Sequence, residues 1–534
     1  MMKKRLAVVV LAVMILSLCA ACGTPGASPV NTQNASAASS ASSNPQATTS
    51  QPESIKPLFD KPVTISLLMA AHSTWPYNKD WYIVDLVKRY TNADLDVTTV
   101  VDENGAFFDK VSVTIASGDV PDLIYPIGLE IQQKFNNQGV FANIKDHLDI
   151  TPNFKKFLEE NKDYMLTFTS ADGKVYQFPS LGMGESNRRG WLYRKDIFEK
   201  NGIKPPTTSD ELYAVCKQLK QLYPDSYPYV ARDHDLLQFL MIAPSWGTDF
   251  HSPTTGYFRY DPASKDFFYG PITDNFKQMV VFYNKLYKEG LINPNFLTAT
   301  TSEWESLVTS EKGYITVDYL SRIDSFDAAV RPTNPDFTLA YMDPVKGGTG
   351  GVGKFAASTT EYYGFLPFAG SKHLDDILKY CDWYYTDQAK ELISWGEKDV
   401  TYTVQDGQKK FKDADNIKTL RINTGVSTSG FYTLYDFDAQ LSLSSKDVKD
   451  AYTESKKFDL PLNPNPPYND EELQWINTQG AGLMKYVEES ISKFILGTRN
   501  ISEWDKYVQD VKDLGLDKFK EIVVTAYTRA TTAN

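Results

Sequence analysis

The chain has 534 residues, with 55 Lys and Arg against 67 Asp and Glu, and a formal net charge of −12. A net negative chain repels nucleic acid and anionic lipid headgroups, which excludes both as partners. At this length, with 42% apolar residues, two lobes suit the chain better than one core.

Lys3, Lys4 and Arg5 precede an apolar run from Leu6 to Leu18, which closes in Cys19-Ala20-Ala21-Cys22. A charged start, a short apolar middle and a small-residue end describe a secretory signal. The run is shorter than the roughly 20 residues of a membrane-spanning helix. Its last four residues resemble a bacterial lipobox, in which the final cysteine is acylated and becomes residue one; here Cys19 stands where Leu is usual. Residues 1–21 are therefore expected as a lipoprotein signal peptide, with Cys22 as the lipidation site that holds the protein to the outer face of the cell membrane by acyl-chain burial. Residues 22–56, rich in Ser, Ala, Thr, Asn, Gln and Pro, bury too little apolar surface to fold and read as a disordered tether.

Strand and helix then alternate. Val63 to Met69 predicts a strand, and Trp81, Val84, Val87 and Tyr90 mark a helix. Leu95 to Val101 predicts a second strand; Phe108, Val111 and Ile115 mark a helix ending at Gly118; Asp122 to Pro126 predicts a third strand. Such alternation implies parallel pairing in an α/β sheet, whose ligands gather beyond the carboxyl ends of the strands. Trp191 to Arg194 restarts the pattern, and Thr208 with Glu211 predicts a capping box for a helix carrying Leu212, Val215 and Leu219. Tyr362 to Leu366 predicts another strand, and the C-terminal end is helical through Trp504, Tyr507, Val508, Val511 and Leu514, with Ser502 as cap. Cys216 and Cys381 fall on apolar helical faces and read as buried small residues, although a disulfide between them is open to an exported chain. No Cys/His set has zinc spacing, and the five histidines are scattered.

Several phrases together resemble the extracellular solute-binding proteins of ABC importers, in the lipoprotein branch of the family that includes maltose-binding and oligosaccharide-binding members. They are Ala116-Ser117-Gly118-Asp119-Val120-Pro121-Asp122, Asp172-Gly173-Lys174-Val175-Tyr176-Gln177-Phe178-Pro179, Leu192 through Gly202, and Phe494-Ile495-Leu496-Gly497 leading to Trp504-Asp505-Lys506-Tyr507. The resemblance implies a two-lobed α/β fold of the type II periplasmic-binding-protein kind, with mixed sheets flanked by helices and a hinge between the lobes. It implies lobe 1 over 57–185 with a return over 356–410, and lobe 2 over 186–355 with C-terminal helices over 411–534. It further implies a monomer that captures a carbohydrate, shuts on it and presents it to permease subunits. Alginate-type members carry a calcium loop after the capped helix. Here Lys220 to Pro228 lacks the alternating oxygen ligands, so neither metal nor cofactor is expected, and Asp413, Asp415 and Asn416 read as a solvated loop.

Sugars stack their C–H faces on aromatic rings and pair their hydroxyls with planar polar side chains. Aromatics off the helical stripes and beside such groups are thus the candidate ligand contacts: Trp75, Tyr125, Trp191, Trp246, Tyr319 and Trp395, with Glu185 and Arg188; Arg188-Arg189 is alternatively solvated charge. Each aromatic is alternatively a filler between helix and sheet, and Trp383 and Trp504 read as packing. A secreted glycoside hydrolase or lyase needs two carboxylates flanking one bond, and no local motif nominates such a pair. A peptide or another small solute stays open as the ligand, whereas a structural adhesin would show repeats or sandwich strands that are lacking here.

Overall fold

A computed structural model describes residues 55–101, 106–126, 135, 138–232, 236, 240–250, 256–356 and 361–532; Cys22, the signal segment and most of the tether lie outside the described residues. In chain order the strands are β1 (Val63–Ala71), β2 (Ala93–Val101), β3 (Leu123–Tyr125), β4 (Phe178–Pro179), β5 (Arg189–Arg194), β6 (Phe258–Asp261), β7 (Asp266–Tyr269), β8 (Ile315–Tyr319), β9 (Leu339–Met342), β10 (Gly364–Pro367), β11 (Tyr402–Gln405) and β12 (Gln408–Phe411). A five-stranded sheet has the order β2-β1-β3-β10-β4, a three-stranded sheet the order β8-β5-β9, and β6–β7 and β11–β12 are hairpins.

β1 pairs in parallel with β2 and β3, an arrangement that needs the crossover connections its intervening helices supply. The chain's later return, β10, enters antiparallel to β3 and β4. β5 runs antiparallel to both its neighbours, so the second sheet does not repeat the parallel pattern of the first. Between β1 and β2, the helix Tyr82–Thr91 buries Ile83, Leu86 and Val87 at helical spacing and stops where Asn92 turns left-handed, at φ 60°. Thr208 caps the helix Ser209–Leu222 by accepting from Glu211 N–H, but the Glu211 carboxylate reaches back to Thr207 N–H, one residue beyond the expected partner. Asn416 is not idle loop: it caps the helix Ile417–Thr424.

The first apolar core joins β1 and β3 to the helices Leu374–Trp383 and Asp387–Trp395. The second joins one face of β5 to the helices Ser209–Leu222, Asp274–Lys288, Ala481–Leu496 and those that follow. Cys216 and Cys381, both free and fully buried, belong one to each core. The segment after 411 contributes to both cores. Val426, Phe431, Tyr432 and Tyr435 pack into the first core, and the helices from Asp470 onward take the second. The chain therefore passes between the sheets near 180–188, 343–363 and 440–469.

Candidate functional site

β4 is parallel to β3, since both oppose β10. The carboxyl ends of β1, β3 and β4 thus share one end of the first sheet, which is also where the first crossing leaves and the second returns. In the second sheet Arg189, opening β5, pairs with Tyr319, closing β8, so this sheet too presents that end to the crossing. The end where ligand loops gather in a parallel sheet is here the end where the two sheets are joined.

The first crossing is bound to the segment around Thr433 and Tyr435, and the second and third crossings to one another. Leu181 N–H donates to Thr433 C=O at 2.7 Å, and Tyr435 N–H returns a bond to Leu181 C=O at 2.8 Å. The approach is close enough that a Cβ on Gly182, whose φ is +112°, would fall 2.2 Å from the Tyr435 carbonyl oxygen. Phe355 N–H donates to Phe458 C=O at 3.0 Å, tying the second crossing to the third. Arg188, 2% exposed, forks onto both Asp459 oxygens at 2.6 and 2.8 Å and onto both Glu185 oxygens at 2.9 and 3.1 Å. All its nitrogens are engaged, so Arg188 and Glu185 hold two crossings together and offer a solute no free fork.

Tyr125 is fully buried; its hydroxyl shares a 3.2 Å bond with Ser180, and burial pushes its pKa up. It supports the first crossing from below. Trp75 is half-buried, stacked on His72 at 3.6 Å with the Arg421 guanidinium 5.0 Å over its ring. Tyr319 is also half-buried; its hydroxyl accepts from Arg189 at 2.7 Å, and the same guanidinium lies 4.3 Å over its ring. These two aromatics keep accessible surface at the joined ends of the sheets.

The other three tryptophans are packing. Trp191, 1% exposed, faces the second core beside Tyr229, because alternation along β5 sends it there and Leu192 to the opposite face. Trp246, 5% exposed, is roofed by Gly347, whose Cβ would lie 2.1 Å from the indole. Trp395 donates Nε1–H to Asp436 at 2.8 Å and stacks on Phe411. The acids beside them are spent as well: Asp249 lies 3.6 Å from Arg259, and Glu397 accepts from Arg89, Tyr82 and Tyr90. Trp383 and Trp504 are buried, as their helical positions suggest.

Residues that no local pattern singled out complete the site. Arg421 donates to Ser427 C=O at 2.9 Å and to Met183 Sδ, in the first crossing, at 3.7 Å; burial lowers its pKa. Tyr362 is 39% exposed, and desolvation raises its pKa. Glu361, 6% exposed, has its pKa raised to about 7 by burial, opposed only in part by the N–H groups of Gly184 and Met183. Its Oε2 has no hydrogen-bond partner among the described residues, so the charged form is poorly solvated there. The chemistry gathered here is stacking and donation from guanidinium and hydroxyl groups, with Glu185 neutralised and Glu361 buried. A surface cavity of about 460 Å³ lined by His147, Lys174, Tyr176 and Leu374 opens at the opposite end of the first sheet, away from the crossings.

A family profile for bacterial extracellular solute-binding proteins matches residues 77–391. The chain is 25% identical to the lipoprotein LipO of Bacillus subtilis, over 80% of this chain and 85% of that one. It is 24% identical to the fructooligosaccharide ABC transporter substrate-binding protein FusA of Streptococcus pneumoniae, over 82% and 85%. In fold it is similar to a solute-binding protein of Bifidobacterium longum infantis described as HMO-binding and associated with an ABC transporter, at 19% identity and a TM-score of 0.71, covering 88% of this chain and 99% of that one. Two sheets joined by three crossings, with accessible aromatics at the junction, agree with that match over more than half the chain, and the protein belongs to the bacterial extracellular solute-binding protein family.

Proposed function

We propose that this protein is the lipid-anchored, extracellular substrate-binding component of an ABC importer, and that it captures an oligosaccharide and passes it unchanged to a membrane permease. The observation that carries the reading is the pair of sheets joined by crossings at the ligand end, with Trp75, Tyr319 and Tyr362 at that junction. Crossings bound by backbone hydrogen bonds and the Arg188 fork form a hinge about which the two sheet-bearing lobes close; solute contacts from both lobes then stabilise the shut state. On this reading lobe 1 is built on the first sheet, about 57–179 with the return from 364 to 439, and lobe 2 on the second, about 189–342 with the helices after 470, while the first apolar core also takes in Leu192, Leu320 and Leu339 from the second sheet. The solute-binding relatives named for saccharides, FusA among them, support a carbohydrate over a peptide. The lipobox-like Cys19-Ala20-Ala21-Cys22 supports attachment through an acylated Cys22; no helix among the described residues is long and apolar enough to cross a membrane.

Isothermal titration against an oligosaccharide panel tests capture, with small-angle scattering as the readout of closure and chromatography of the mixture as the check on the sugar. Saturable binding, a smaller radius of gyration and intact sugar are expected. Shortened sugars would move the protein to the hydrolases, and a panel without any binding would remove carbohydrate as the ligand. Mass spectrometry of the N-terminal peptide tests the anchor, where a diacylated Cys22 is expected.

A further inference from the structure

Arginine does not shed its proton in a protein, so a guanidinium taken out of water calls for a counter-charge. Nine of the described arginines obey this, each with a carboxylate within 3.6 Å. Arg189 and Arg421 do not: among the described residues neither has a carboxylate partner. Both sit at the junction of the two sheets. Arg189 opens β5 directly after the first crossing, and Arg421 touches Met183 within that crossing from the side of the first core.

Their surroundings are alike. Each guanidinium lies over an aromatic that keeps accessible surface, Arg189 over Tyr319 at 4.3 Å and Arg421 over Trp75 at 5.0 Å. Stacking fixes the plane of the fork and leaves its edge to meet an acceptor. Arg189 is 8% exposed; among the described residues Nη2–H donates to the Tyr319 hydroxyl, Nη1–H reaches only the weak acceptor Met241 Sδ at 3.8 Å, and Nε has no partner. Neighbouring Arg232 and Arg322 share Asp318, and no carboxylate among the described residues pairs with Arg189. Arg421 spends Nε–H on a backbone carbonyl and Nη2–H on a thioether, again without neutralising its charge.

We propose that the solute is an acidic saccharide, whose carboxylates are received by Arg189 beside Tyr319 and by Arg421 beside Trp75. The proposal rests on the carbohydrate reading above and names its substrate class. A uronate supplies what each place lacks: a planar anion for the edge of the fork and a ring face for the aromatic next to it. Arg421 contacts the first crossing at Met183 from the first core and Arg189 opens β5 at the end of that crossing, so a uronate chain that engaged both would join the two lobes and its charges would reward closure.

The test is titration of the full chain with tetragalacturonate and tetramannuronate, with their fully methyl-esterified forms, and with neutral fructo- and gluco-oligosaccharides. A uronate should bind at least tenfold tighter than its ester, and its affinity should fall as salt rises. Arg189→Gln and, separately, Arg421→Gln should each weaken uronate binding roughly ten- to a hundredfold and pull the acid-to-ester ratio toward one. Arg189→Lys, which keeps charge but loses the fork, should fall between. Thermal unfolding checks each variant, and half-buried Arg421 carries the test should Arg189→Gln fail to fold. Equal affinity for acid and ester, or a neutral sugar bound while uronates are not, overturns the acidic ligand and leaves carbohydrate capture standing. Failure of every saccharide overturns both.

Discussion

Glu361→Gln should make the protein more stable, and only above a definite pH. The carboxyl is buried at the return of the second crossing, with Oε2 unpartnered and its pKa raised from 4.5 to about 7 by desolvation. A carboxyl whose folded-state value lies above its unfolded value stabilises the fold below the unfolded pKa, and that contribution is lost as pH rises through the folded pKa. At about 1.4 kcal/mol per unit, a shift of this size makes ionised Glu361 a burden of about 3 kcal/mol at pH 8. Glutamine has nearly the shape of the neutral acid and never ionises. In urea denaturation from pH 4 to pH 8, the difference between variant and parent should start near zero at pH 4.5, open between 4.5 and 7, and level off at about 3 kcal/mol in favour of the variant. Other carboxyls cancel in this difference, and the surrounding hydroxyls of Tyr125, Tyr164 and Tyr432 stay protonated throughout, because burial raises them. A difference that is flat with pH, or a parent that is the more stable at pH 8, would refute a neutral buried Glu361.

Arg188→Met should cost about 2–4 kcal/mol in the same assay: Glu185 and Asp459 lose their shared cation but keep 23% and 33% side-chain exposure, which tempers the penalty of a broken buried pair. Arg188→Lys should not restore the loss, since a single ammonium cannot fork onto two carboxylates. Gly347→Ala should lower stability by about 1–3 kcal/mol, read as a fall in the thermal midpoint, because its Cβ would lie 2.1 Å from the Trp246 ring. Trp191→Ala should cost about 3–5 kcal/mol of stability by opening a cavity in the second core, and titration of the folded fraction should show ligand affinity unchanged.

The alternating start was legible because each of its elements is decided locally: β1, β2 and β3 lie within two residues of their expected ends, and the helices between them bury an apolar stripe. The second sheet was less so, because the partners of β5 lie more than a hundred residues away and no local pattern records their direction. The same limit separates the aromatics. Trp246 ends a short turn that reads as loop, and it is buried only because the chain returns a century of residues later to lay Gly347 across it. Adjacent Arg188 and Arg189 show the point most sharply. Nothing in their immediate neighbourhood distinguishes them, yet β5 begins between them and turns their side chains to different surroundings. One meets Asp459, 271 positions along the chain, and is neutralised; the other meets Tyr319 and Met241 and stays charged. Whether an arginine is a brace or a receptor is thus decided by where the distant carboxylates fall, so the charge left unanswered at a junction of this kind emerges only when the whole fold is in view.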